Sequence, residues 1–183
     1  SIGKRGALGA EVRIVDEDGN NVSANEIGEI VVFGEGVMKG YYKDAEQTQQ
    51  AFLNGWLKTG DMARKDEDGY LWVVDRKKDM IISGGVNIFP KEIEEALLVH
   101  PLITDVALIG VPHREWGETV KAYIVATEAI VDLQEECNRF LDGKVASYKI
   151  PKLYEQIAEL PRNATGKILK QVLRDQNKKE AVQ

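Results

Sequence analysis

The sequence predicts an α+β protein, a short β-rich segment followed by a small mixed α/β domain. Three observations carry that expectation. Up to residue 75, short apolar runs alternate with turns marked by glycine and asparagine. Beyond it, apolar strands are interleaved with stretches whose apolar residues recur at helical spacing. Between the two patterns lies an uninterrupted charged run, Asp75-Arg76-Lys77-Lys78-Asp79, which is hard to bury and suits a boundary or hinge. The expected domains are therefore residues 1–77 and 78–183.

In the first segment, residues 11–15 and 29–33 are β-like runs, and Asp18-Gly19-Asn20 supplies a turn between them. They should pair in a small antiparallel sheet. Asp44 with Gln47 three positions on resembles a capping box, opening a short helix that reaches Phe52 before the Asn54-Gly55 break. Residues 57–64 and 70–75 read as strands, joined by Lys65-Asp66-Glu67-Asp68-Gly69 as a solvated hairpin turn.

In the second domain, residues 80–83 form a strand and Gly84-Gly85-Val86-Asn87 a turn. Pro90 stands where a helix begins, since its missing N–H costs nothing there. Ile93, Ala96 and Leu97 have core spacing opposite Lys91, Glu92, Glu94 and Glu95, and Pro101 closes the helix. Residues 106–111 and 120–126 are apolar strands, 133–141 an amphipathic helix, 153–157 a strand and 168–174 a last helix. Trp116 is expected to pack against this domain's core, although a loop tryptophan can also line a channel.

Composition narrows the function. The net charge of -6 is made of both signs spread along the chain, which argues against a general nucleic-acid surface. Cys137 is the sole cysteine, and His100 and His113 stand far apart. No disulfide, thiolate cluster or zinc pair is expected, so no metal site is assigned, and a reducing cytoplasm fits. No apolar run approaches the ~20 residues of a membrane span, and Ser1-Ile2-Gly3-Lys4-Arg5 leads into no signal-peptide core. His113 has no neighbour that suggests a triad, and Cys137 lies at an apolar helix position; neither is given a catalytic role.

Four stretches carry chemistry. Gly28-Glu29-Ile30 through Gly34, Gly36 and Gly40-Tyr41-Tyr42 is a glycine-punctuated strand and turn. Trp56-Leu57-Lys58-Thr59-Gly60-Asp61 ends in a carboxylate, whose two oxygens suit two adjacent hydroxyl donors. The charged run continues through Met80-Ile81-Ile82-Ser83-Gly84-Gly85-Val86-Asn87-Ile88 to Pro90. Pro161-Arg162-Asn163-Ala164-Thr165-Gly166-Lys167, preceded by Ser147-Tyr148-Lys149-Ile150-Pro151, ends in a lysine. Singly, each would more often be a turn or an exposed cation.

Together they resemble the adenylate-forming superfamily of acyl-CoA synthetases, luciferases and peptide-synthetase adenylation domains, over nearly the whole chain. The resemblance implies that the β-rich segment is the end of a large N-terminal domain and the second domain a mobile C-terminal lid. It makes Lys167 the catalytic lysine bridging the substrate carboxylate and the ATP α-phosphate, where a point charge offsets the repulsion of two anions. Asp61 would accept from the ribose hydroxyls, Arg76 would contact the nucleotide, Lys78 would be the hinge, and Gly84 and Gly85 would line the pantetheine arm of CoA. The implied reaction has two halves. A carboxylic acid, a fatty acid by preference, reacts with Mg-ATP to give acyl-adenylate and pyrophosphate; CoA then displaces AMP. Nothing in residues 1–61 matches the family's phosphate-gripping loop, so the N-terminal domain of the same enzyme is an expected partner and the chain alone is expected to be inactive. Two alternatives stay open: an adenylation domain loading a carrier protein, disfavoured by the lack of a carrier-like helix after Lys167, and a non-catalytic lid-like binding module.

Overall fold

In the computed structural model, residues 1–4 and 9–180 are described. Arg5, which ends the N-terminal run considered above, lies outside them. The chain divides into two compact units, Ser1–Lys78 and Asp79–Gln183.

The first unit is one antiparallel sheet. Its strands are β1 (Ala10–Val15), β2 (Ile27–Gly34), β3 (Phe52–Leu53), β4 (Trp56–Lys65) and β5 (Leu71–Arg76). β1 pairs with β2 and β2 with β4; β3 and β5 both pair with β4, at its two ends. Alternation along the strands puts Ile14, Ile30, Ala63 and Leu71 on the buried side. Helix α1 (Ala45–Ala51) is capped as its sequence suggests, the Asp44 carboxylate accepting the Gln47 N–H at 2.8 Å. The acidic stretch before Gly69 is an exposed turn, and Asp66 accepts from Tyr70 N–H and Trp72 Nε1.

The second unit is a three-layer sandwich. Its sheet holds β6 (Ile81–Ser83), β7 (Val86–Ile88), β8 (Ile103–His113), β9 (Gly117–Ala126) and β10 (Leu153–Gln156). β9 is central, antiparallel to β8 and β6 and parallel to β10. Alternation along β8 sorts the core. Val106 and Leu108 pack with Ile93 and Leu97 of α2 (Pro90–Leu97) and with Cys137 and Leu141 of α3 (Leu133–Leu141). Ala107, Ile109 and Val111 face Leu160 and Leu173, the latter on α4 (Lys170–Glu180). Both faces of the sheet are covered, which is why β8 and β9 read as nearly continuous apolar runs. Burial pushes the Cys137 thiol up to about 11, in keeping with a packing role.

β8 and β9 run longer than the expected 106–111 and 120–126, and two further elements change. The stretch 84–87 is not all turn: only Gly84 and Gly85 form the loop, and Val86 and Asn87 continue as β7. A two-residue hairpin loop of the I′ kind needs positive φ at both positions, which glycine adopts freely; the values are +57° and +79°. The last helix begins at Lys170 rather than residue 168, because Ile168 is bridged to Arg162 and Leu169 N–H bonds the Pro161 carbonyl. It then runs on to Glu180. Lys170 to Glu94 (2.7 Å), Arg174 to Asp79 (3.0 Å) and Lys121 to Asn177 (3.0 Å) hold α4 in place.

Candidate functional site

In the first unit, Asp61 owes its position to a bulge. β2 and β4 pair up to Val31↔Lys58 and resume at Glu29↔Met62, so Thr59, Gly60 and Asp61 stand opposite Ile30 alone. Extra residues on one strand bend it and redirect its side chains. Side chains stabilise the distortion: Thr59 Oγ1 donates to the Ile30 carbonyl (2.8 Å), Asp61 N–H donates to Thr59 Oγ1 (3.1 Å), and Gly60 N–H donates to Glu29 Oε1 (3.1 Å). Glu29 is buried, and its other oxygen receives Lys77 Nζ at 3.0 Å. Asp61 and Arg76 are opposite each other in the β4–β5 register and form an ion pair of 2.6 Å between Oδ1 and Nη1. Asp61 Oδ2 is left open among the described residues, about a third of the side chain being exposed. Sequence reasoning missed Glu29 and Lys77. A carboxylate inside an apolar strand run was the available signal for the first; for Lys77, its place in the charged run hid it.

Lys78 is exposed within a single 3-10 turn, Lys77–Asp79. In the second unit, Gly84 N–H donates to the Trp116 carbonyl at 3.0 Å, so the glycine turn abuts the β8–β9 turn. Trp116 departs from its expected place in the core. It is 38% exposed, stacks on His113 at 4.5 Å, and walls a cleft of about 240 Å³. The reason is local. His113 Nδ1 accepts the N–H groups of Glu115 and Trp116, which folds the turn tightly and presents the indole beyond the sheet. Ser83, Gly84, Val86, Tyr148 and Lys152 complete most of the cleft wall. Tyr148 and Lys152 are further residues the sequence did not single out.

Lys167 is not in that cleft wall. It ends a loop shaped by Asn163, whose side-chain oxygen accepts from Thr165 N–H (3.1 Å), Thr165 Oγ1 (2.8 Å) and Lys167 N–H (2.9 Å). The Lys167 carbonyl accepts Asn163 N–H at 3.0 Å. The backbone is thus fixed while the side chain is exposed, and among the described residues its ammonium has no hydrogen bond or ion pair.

The structure brings Asp61 and Arg76 together, and Gly84 with Gly85, and leaves Lys167 in a loop of its own. A half-open carboxylate beside an arginine suits a ligand carrying hydroxyls and negative charge together, as a nucleotide does; an unpaired lysine suits a second anion.

Known families agree. Residues 92–167 match the AMP-binding enzyme C-terminal domain, and residues 1–42 match the AMP-binding enzyme family. A long-chain-fatty-acid–CoA ligase of Yersinia pestis is 44% identical over 172 residues, 92% of this chain and 30% of the ligase. A 2-succinylbenzoate–CoA ligase of Bacillus velezensis is 42% identical over 185 residues, 98% of this chain and 37% of the ligase. Among solved structures, ATP-bound MatB from Rhodopseudomonas palustris matches with a TM-score of 0.87 at 38% identity, over 94% of this chain and 35% of that one. The o-succinylbenzoate CoA synthetase MenE of Bacillus subtilis, bound to the acyl-adenylate OSB-AMP, matches with 0.83 at 38% identity, over 92% and 34%. The chain belongs to the adenylate-forming AMP-binding enzymes, and corresponds to the C-terminal part of its acyl-CoA ligase relatives. It spans about a third of the length of the relatives it matches. No helix among the described residues is long and apolar enough to cross a membrane.

Proposed function

We propose that this chain is the lid-bearing part of an ATP-dependent acyl-CoA synthetase, working in the cytoplasm with the phosphate-gripping domain of the same enzyme. The observation that carries the proposal is the bulge that sets Asp61 beside Arg76. Oδ2 is free to accept one ribose hydroxyl and Oδ1 has a second lone pair for the other, while the guanidinium can turn toward phosphate. Lys167 then supplies the positive charge between carboxylate and α-phosphate as they meet, and needs no partner exchange to do so.

Magnesium would arrive with the nucleotide's phosphates. Among the described residues no cluster of three or more His, Cys, Asp or Glu is placed to hold a metal ion, and no residue is given the role of a metal ligand here. The cleft beside Gly84 supports CoA as acceptor: its walls are largely apolar, with an indole and a phenol facing it and Lys152 among its lining residues. A slender thiol arm fits those walls, and Lys152 suits a phosphorylated end. The glycine turn keeps side chains away from the arm, while Lys78 is the pivot about which the lid presents first Lys167 and then the cleft. The acid is proposed to be a fatty acid, on the similarity to long-chain ligases; 2-succinylbenzoate is the competing substrate, since ligases for it are equally similar.

The test is pyrophosphate exchange by the full-length enzyme with fatty acids of graded length and with 2-succinylbenzoate, followed by thioester formation with CoA or a carrier protein. Exchange with a fatty acid and transfer to CoA are expected. Selective exchange with 2-succinylbenzoate would replace the fatty acid, and transfer only to a carrier would replace CoA. Robust exchange by residues 1–183 alone would overturn the assignment as a lid-bearing part.

A further inference from the structure

The loop of Lys167 is anchored to the sheet by a relay that no role above uses. Arg162 donates from Nη1 to the Gly166 carbonyl and from Nη2 to Asp105 Oδ2. Asp105 is itself constrained. β8 and β9 fall out of register between Ile103 and Asp105, and Asp105 Oδ1 accepts the Val106 N–H at 3.0 Å. Both carboxylate oxygens are therefore engaged, and the alternation that puts Ala107, Ile109 and Val111 on the Leu160 face puts Asp105 on that face too, toward Arg162. A guanidinium is planar and donates in a fixed fork, so it carries the position of β8 across to Gly166, the residue before Lys167. The bonds of Asn163 all lie inside the loop; they shape it without anchoring it.

We propose that Asp105 and Arg162 are positioning residues for adenylate formation, setting where the Lys167 ammonium stands without touching substrate. The inference rests on the role given to Lys167 above. The competing account is a partly exposed ion pair that contributes little, Asp105 and Arg162 being 26% and 43% exposed. The two accounts differ in what they affect. A surface pair adds slight stability and leaves chemistry alone; a relay leaves stability nearly unchanged and displaces one reacting charge, and a misplacement of about 1 Å can cost roughly a hundredfold in rate.

The experiment uses the full-length enzyme with Lys167→Ala, Asp105→Asn and Arg162→Lys, the last keeping the charge and losing the fork. Lys167→Ala is the reference for losing the ammonium. Asp105→Asn and Arg162→Lys should lower kcat for adenylation roughly tenfold to a hundredfold. The KM for ATP, thioester formation from supplied acyl-adenylate and Tm should be unchanged. In the 183-residue chain, Asp105→Asn should also speed tryptic cleavage after Lys167, a local readout independent of turnover. If Lys167→Ala cripples adenylation while both relay variants stay within twofold of wild type, the relay is wrong and the lysine assignment stands. Both half-reactions falling together with Tm would make the pair part of the fold's support, and would also overturn the proposal. If Lys167→Ala is harmless, the role of Lys167 fails and the relay falls with it.

Discussion

Asp61 sits on a strand bulge in one unit and Lys167 on a side-chain-braced loop in the other, and their charges are treated differently. Asp61 is paired with Arg76, and the strand beneath it is held by a second pair between Lys77 and the buried Glu29. Lys167 has its backbone fixed by Asn163 and Arg162, while its ammonium stays free among the described residues. A guanidinium held by a carboxylate must trade a partner to reach a ligand, so the pair suits recognition, where the exchange can be selective. An unpaired group meets charge as it develops, at no cost of rearrangement, and suits catalysis. The first arrangement uses the same charges for structure and for binding; the second leaves structure to Asn163 and to the separate Arg162–Asp105 pair, so the Lys167 ammonium supports nothing. Replacing Asp61 should therefore disturb its surroundings slightly, and replacing Lys167 should disturb only chemistry.

The largest effect expected from this contrast is in the full-length enzyme with Lys167→Ala, where adenylate formation should fall roughly a hundredfold to a thousandfold. Tm should not move, because the side chain supports nothing. Equal loss in thioester formation from supplied acyl-adenylate would show that the lysine acts throughout or holds structure. Lys78→Pro comes next. Proline fixes φ near -65° and restricts Lys77 before it, so the 3-10 turn should lose the freedom a pivot needs. Thioester formation is expected to drop about a hundredfold, the scale of a misplaced group, with pyrophosphate exchange largely retained. Loss of both together, with lower Tm, would point to a folding defect; no change in either would place the pivot elsewhere.

Asp61→Ala removes hydrogen bonds to a charged acceptor and should weaken ATP binding by about 1.5–3 kcal/mol, measured by calorimetry. Its pair with Arg76 is partly exposed, so thermal stability should change little. A large loss of stability with ATP affinity intact would make Asp61 a turn residue and abolish the contrast. Glu29→Gln should show the opposite balance. Glu29 is buried and bonds both Gly60 and Lys77, and the amide can replace only the first bond well. The first unit should lose about 1–3 kcal/mol in urea unfolding, with a smaller effect on ATP affinity through a loosened bulge.

Much of the fold could be read from residues 79–183 because local rules and tertiary packing agree there. Pro90 starts α2, the apolar spacing of residues 133–141 marks α3 in full, and the apolar runs of β8 and β9 are those of a sheet covered on both faces. The turn at Gly84-Gly85 was legible as a turn and misjudged in length, since only strand pairing decides whether Val86 and Asn87 belong to it. The helix start at Lys170 was set by a bridge from Arg162 to Ile168, a contact within a loop that no periodicity reports.

The sequence by itself determined the α+β class, most elements, the family resemblance and the candidate residues, because these depend on residue type and spacing. Tertiary structure decided how those residues stand. It placed Asp61 on a bulge against Arg76, brought Glu29 beneath Gly60 from a strand about thirty positions away, turned Trp116 out of the core to face a cleft with Tyr148, and joined Asp105 to the loop of Lys167 across fifty-seven positions. Each depends on register between strands or on a side chain reaching another element. A one-residue slip in register reverses the face a strand residue presents, so no local pattern could have fixed them.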